Sequence, residues 1–321
     1  MKIKKSPGMS SNPKDKNRSK GLIKRITLLS AIGLSFAVGF NFIYEKAKYA
    51  HFLLNKEKYI QEYILTSFHS HSQIGGGDGF RSVEWIIENA YLEGYGIYSI
   101  TDHEQPPELN AHDTMSKLEE LAETNFGDFD VTKVNETTYK VTHPDKDHVL
   151  YVLNGAEITV KHEGRDTHVL GIGISSVPDS SMTLDEVLSN LSNQGALIGA
   201  PHPTTKMAFG LGENAVTQYQ AYFDFLEGNG SLPFPVNIIK NGTAENLAKK
   251  LNIPYLTQSD AHLTTLYFNK ALVMIEKSDT FDENNIVGFL KEQISEGKYK
   301  NVLITVDNLK LYEWILFGKR Q

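Results

Sequence analysis

Short apolar runs that end in histidines and carboxylates constrain this chain more than any other feature. Six of its 11 histidines belong to a scattered series. In order the series reads His69-Ser-His71, Asp78, Thr101-Asp102-His103, Gly155-Ala156-Glu157, His168, Ala200-Pro201-His202-Pro203 and Ser259-Asp260-Ala261-His262. Imidazole nitrogens and carboxylate oxygens are the ligands of catalytic transition metals. These groups stand too far apart for a local finger-type site, so only a folded domain can join them. That points to an enzyme.

The stretches between the motifs alternate in kind. Strand-like runs at 63–68, 96–100, 149–153, 196–200 and 255–258 each lead into a candidate ligand. His168 departs from this pattern because it precedes its apolar run, 169–174. Helical periodicity marks 83–92, 115–123, 184–191, 244–251 and 286–294. A polar, hairpin-like excursion follows the second of these, and an apolar run at 236–239 precedes Asn241-Gly242. Strands alternating with helices predict parallel strands with right-handed crossovers. In a (β/α) barrel the strands' C-terminal edge is where catalytic residues meet.

The N-terminus is of another character. Residues 1–25 carry nine basic side chains against the single acid Asp15 and cannot bury enough apolar surface to fold alone. The 19 residues from Ile26 to Tyr44 then run without a charge. As a helix they would extend roughly 28 Å, the thickness of a bilayer's hydrocarbon core. No small-x-small cleavage site follows, since Phe42-Ile43-Tyr44-Glu45 is bulky and then charged. The expectation is an uncleaved, single-pass signal anchor in the cell membrane. Its basic tail stays in the cytoplasm and the rest lies outside it. Residues 45–62 read as a polar spacer and 63–321 as the catalytic domain.

The formal charge of −7 divides into +8 for residues 1–25 and −15 for the remainder. An acidic body argues against broad nucleic-acid binding, which needs a basic face. The absence of cysteine removes thiolate ligands, a cysteine nucleophile and disulfides together.

Singly the motifs are weak, because a lone Asp-x-His or Pro-His-Pro is commonly a turn; their force lies in joint occurrence and order. Together, over residues 69–303, they resemble the PHP family of polymerase-associated and histidinol-phosphatase domains. Ser67 stands where that family commonly has an acid, and the loop from His71 to Asp78 is lengthened by Gly75, Gly76 and Gly77. The resemblance implies an α/β fold, a TIM-like distorted (β/α)7 barrel, here preceded by one transmembrane helix. It also implies two or three divalent metal ions, with zinc, manganese or iron suiting a nitrogen-rich, thiolate-free set. His69, His71, Glu157 and Asp260 would hold one metal, and Glu157 would bridge to a second bound by His168 and His202. Asp78, His103 and His262 would hold the third.

Glu157, Asp260 and His202 are then the catalytic ligands of a phosphoesterase that uses a metal-activated water. Arg81 and Lys206 are the candidate substrate cations, and Asp102 is expected to orient a histidine from behind. Expected substrates are phosphorylated small molecules or cell-envelope phosphoesters. A nuclease or nucleotide phosphodiesterase, or a non-catalytic metal-binding module, are the alternatives.

Overall fold

The computed structural model describes residues 47–48, 50–74, 79–105, 110–179, 181–230, 236–262 and 271–303. Strand β1 (Tyr63–Ser67) pairs in parallel with β2 (Tyr95–Ile100), and β2 pairs in parallel with a longer strand that three short pieces precede in the chain. Those pieces begin with β3 (His103–Glu104), which lies parallel to the same long strand. The hairpin of β4 (Asp130–Asn135) and β5 (Thr138–His143) then attaches to it from the side. The long strand β6 (Lys146–His162) leads into β7 (Arg165–Ile172), and the wall continues through β8 (Leu197–Ala200), β9 (Phe225–Asn229) and β10 (Tyr255–Gln258).

The residues just past β10 meet those just past β1. The His71 N–H donates to the Ala261 carbonyl at 2.9 Å, and the Asp260 N–H donates to the His69 carbonyl at 3.0 Å. Ser70 and Ala261 form a parallel bridge. The sheet is thus a nearly closed barrel, joined at the end where the motif histidines stand. Outside this ring, β11 (Ala271–Glu276) runs antiparallel to β1, and β12 (Tyr299–Leu303) runs antiparallel to β11. Asn301 of β12 ties back to β10: its side chain accepts from the Thr257 N–H at 2.9 Å and donates to the Tyr255 carbonyl at 2.7 Å.

Helices cover the wall. They are α1 (Lys56–Glu62), α2 (Val83–Leu92), α3 (Ala111–Thr124), α4 (Leu184–Asn193), α5 (Glu213–Gln218), α6 (Val236–Leu251) and α7 (Ile286–Ser295). Their starts are chemically marked. Ser82 caps α2 by accepting from the Trp85 N–H, and Thr183 with Glu186 forms a reciprocal capping box on α4. Helix α2 buries Val83, Ile86, Ile87, Ala90 and Tyr91, the one-sided stripe that its periodicity requires.

The barrel strands each give apolar side chains to one cluster: Phe68 just past β1, Ile97, Leu153, Leu170, Leu197, Phe225 and Leu256. Phe289, Leu290 and Ile294 of α7 join it. Each such burial contributes roughly 1.5–3 kcal/mol. Gly199 leaves the space for Phe225, since a Cβ there would run into the aromatic ring.

Four expectations are corrected. First, β7 runs antiparallel to β6 instead of continuing a parallel repeat. Its connection is a two-residue turn, Glu163-Gly164, with both residues at positive φ (51° and 77°), which reverses the chain without a helix. Second, the apolar run at 236–239, read apart from the helix at 244–251, opens the same helix α6, with Asn241-Gly242 inside it. Third, β9, β11 and β12 were not anticipated. Fourth, the segment read as a spacer carries Phe52, which is only 4% exposed and stacks on Tyr59 at 5.9 Å. Among the described residues, no helix is long and apolar enough to cross a membrane. The expected span from Ile26 to Tyr44 lies outside them.

Candidate metal centre

The closed end of the barrel collects the motif residues, most of them just past the end of a strand. His69 and His71 follow β1 and His103 opens β3, while Glu157 lies mid-way along β6. His202 follows β8, and Asp260 and His262 follow β10. The reversal of β7 also resolves the odd position of His168. Because β7 points the other way, the residues preceding its apolar half lie at the barrel's closed end, and His168 pairs with Thr159 two residues beyond Glu157.

Glu157 is the hub. Its Oε1 lies 2.8 Å from His168 Nδ1 and 3.0 Å from His202 Nε2. Its Oε2 lies 3.2 Å from His69 Nε2, 3.4 Å from His71 Nε2 and 3.2 Å from His103 Nδ1. Asp260 Oδ1 faces the same pair of rings, 3.4 Å from His69 Nε2 and 3.2 Å from His71 Nε2. Asp260 Oδ2 accepts from Asn229 Nδ2 at 2.6 Å. The His71 ring lies between those of His103 and His262, with centroids 4.6 and 4.2 Å away.

The expected ligands are thus brought together, and the groups they form share members. Donor atoms within mutual reach of one ion come from His69, His71 and Glu157, from His103, Glu157 and His168, from His69, His202 and Asp260, and from His71, His103 and His262. Asp78 lies outside the described residues.

Charge in the cluster is imbalanced in a way that suits cations. Burial alone would raise the Glu157 carboxyl, yet the imidazoles of His168, His69 and His103 hold it well below the usual carboxylate range. Asp260 is likewise held low against its burial, by His69, His262 and His71. Burial pushes His168 down to about 4, so that ring is neutral and its lone pair available. His69 is raised well above its ordinary value: burial opposes this, but Glu227, Glu157 and Asp260 outweigh it. His202 Nδ1 is buried without a hydrogen-bond partner among the described residues. Ionised carboxylates surrounded by imidazole donors, with no sulfur, form a donor set that fits borderline divalent ions.

Three further residues from the sequence reading take the following places. Asp102, 1% exposed, bonds no histidine ring among the described residues. Its Oδ1 accepts from the Ser72 N–H at 2.5 Å, and its Oδ2 accepts from the hydroxyls of Ser72 (2.6 Å) and Thr114 (2.5 Å). It clamps the chain just after His71 onto α3. Arg81 lies over the Trp85 ring at 4.7 Å, and that contact is where the structure places its charge. Lys206 is exposed on the short turn Lys206–Ala208 that follows His202.

One residue escaped the sequence reading altogether. Glu227 in β9 is fully buried and bonds both His69 Nδ1 and the His202 backbone. An acid inside the run Phe225-Leu226-Glu227, ended by Gly228-Asn229-Gly230, carried the same strand-end signal as the motifs.

No protein-family profile matches the chain, and no curated protein matches it. Solved structures do. PsfC from Pseudomonas syringae PB-5123 superposes with a TM-score of 0.55 at 13% identity, over 80% of this chain and 97% of that one. A two-domain protein from Bacteroides vulgatus ATCC 8482, containing a predicted PHP-like metal-dependent phosphoesterase, gives 0.49 at 16% identity, over 75% of this chain and 64% of that one. An amidohydrolase from Chromobacterium violaceum gives 0.42 at 12% identity, over 62% and 87%. The chain therefore shares its fold with PsfC.

Proposed function

We propose that this protein is a membrane-anchored, metal-dependent phosphoesterase acting outside the cytoplasm. The observation that carries the reading is the double use of Glu157. One oxygen serves His168 and His202 while the other serves His69, His71 and His103, the arrangement of a carboxylate shared between adjacent ions. His69, His71, Glu157 and Asp260 would hold one ion, and Glu157, His168 and His202 a second. His103 and His262, with Asp78, would hold a third. Such ions, when bound, lower the pKa of water to near neutrality and offset charge on phosphoryl oxygens.

The protein's own contribution is placement and exclusion. Asn229 fixes the Asp260 carboxylate, and the buried wall keeps bulk water from His69, His71 and Glu157. His103 and His262 are the more open of the cluster, with side chains 11% and 20% exposed. Substrate therefore approaches from their side. The choice of a phosphoester rests on the motif resemblance, and the acidic body favours a small or envelope-borne substrate over a polymeric nucleic acid.

The purified protein, reconstituted separately with zinc, manganese and iron, is expected to hold two or three ions per chain by elemental analysis. It should then hydrolyse 4-nitrophenyl phosphate or its diester. Less than one ion per chain under every condition would overturn the reading.

The anchor rests on the uncharged span from Ile26 to Tyr44 behind a tail with a basic excess. Protease added to intact cells, with any outer membrane first opened, is expected to remove the domain while a cytoplasmic marker survives. A domain protected until the inner membrane is broken would refute the orientation.

A further inference from the structure

We infer that Glu227 is a positioning residue of the metal centre, a buried carboxylate that fixes one metal-binding histidine through each of its two oxygens. This rests on the metal-centre reading above.

Glu227 is 0% exposed in β9, between the strand that leads to His202 and the strand that leads to Asp260. Its Oε1 lies 2.8 Å from His69 Nδ1, and its Oε2 accepts from the His202 backbone N–H at 2.6 Å. A carboxylate oxygen is an acceptor, which assigns the donor role in this contact to His69 Nδ1. With a cation bound, the His69 Nε2 lone pair then faces the cluster, where Glu157 Oε2 and Asp260 Oδ1 stand 3.2 and 3.4 Å away. Without this acceptor the ring could rest with its proton on Nε2, a tautomer that cannot ligate through that atom.

The other oxygen acts on backbone. His202 sits at φ 30°, a left-handed conformation that bulky residues rarely adopt. In that conformation its Nε2 lies 3.0 Å from Glu157 Oε1. The bond from the His202 N–H to Glu227 helps hold the peptide there. His69 belongs to the Oε2 side of Glu157 and His202 to the Oε1 side, so one carboxylate prepares both sides of the hub. Both of its oxygens are engaged in this way, and among the described residues Glu227 belongs to none of the groups whose donor atoms lie within reach of one ion. It positions ligands and is not one of them.

The test compares the full-length parent in detergent with Glu227→Gln and Glu227→Asp. The Gln side chain keeps the shape but offers one amide oxygen to two donors. The Asp side chain keeps the charge but is one methylene short of spanning both. Zinc affinity, measured by chelator competition, is expected to fall roughly 10–100-fold in each variant. In the cobalt-loaded protein the ligand-field bands should shift. In the zinc-loaded protein the His69 Nδ1 proton, hydrogen-bonded to a carboxylate in the parent, should lose its downfield resonance in the Gln variant. A purely structural role would lower stability without moving these two spectra.

Parent affinity in either variant, or unchanged cobalt bands and an unchanged His69 resonance, would overturn the inference. Should the Gln variant fail to fold, the Asp variant decides by the same affinity and cobalt measurements. A parent that binds less than one ion would instead defeat the metal-centre reading itself.

Discussion

Glu157→Ala is expected to abolish metal-dependent hydrolysis, lowering kcat/KM by about 1,000-fold or more, equivalent to about 4 kcal/mol of transition-state stabilisation. Among the described residues no other side chain of the centre is shared so widely: five histidines lie within 3.4 Å of one or other of its oxygens. Its loss removes the buried negative charge that draws cations to both sides at once. Glu157→Gln should be nearly as severe, because turning one end of the group into an NH2 faces a donor toward either His168 and His202 or the other three rings. His262→Ala should cost much less, on the order of 10-fold, or about 1.4 kcal/mol. That ring is more exposed, and its Nδ1 lies closer to the Asp260 carbonyl, at 3.0 Å, than to the Asp260 carboxylate, at 3.5 Å. Elemental analysis alongside kcat/KM for an aryl phosphate separates lost metal from lost chemistry. Parent activity in the Glu157→Ala variant would show that the hub has been misidentified.

The sequence disclosed the strand-end residues because their signal is local. His69 and His71 are two apart, which in extended chain puts both rings on one side, and the apolar run before them needs no distant partner to be recognised. Strand direction is not local in the same way. The β6–β7 reversal depends on two residues, Glu163-Gly164, and only that reversal explains why His168 precedes its apolar run. β11 and β12 form an antiparallel ribbon on β1, far away in sequence, and no period-two pattern specifies which edge it will join.

Partners that act through hydrogen bonds were hidden for a related reason. Glu227 and Asp102 are each buried carboxylates whose meaning comes from donors far away in the chain, His69 for one and Ser72 for the other. Asn241-Gly242 has the composition of a turn. The tertiary use of Asn241 prevails: its side chain donates to the Asn229 carbonyl and accepts from the Asn229 N–H, each at 2.9 Å. These bonds join α6 to the strand end that steadies Asp260.

Asp102→Ala is expected to cost about 3–5 kcal/mol of stability, the lower part of the range for three buried donors that each lose an acceptor at about 1–3 kcal/mol. Its carboxylate accepts three bonds, and alanine would leave the Ser72 N–H and two hydroxyls without that acceptor in a region closed to water. For a domain of this size the loss corresponds to a fall in Tm of about 5–10 °C. The damage should not stop at stability. Ser72 follows His71 directly, and the Asp102 backbone carbonyl accepts the Glu157 N–H at 3.0 Å, so this residue sets the separation between a ligand and the hub. Asp102→Asn, which keeps the shape and one acceptor oxygen, should fall between parent and alanine. Thermal unfolding measured with and without zinc distinguishes the two roles. An equal fall in both states means scaffolding alone, whereas a larger fall in the zinc-loaded protein means that the clamp also holds His71 in place for the ion. An unchanged Tm in both states would show that the clamp carries no load, and the short bonds to Ser72 and Thr114 would then be incidental to the fold.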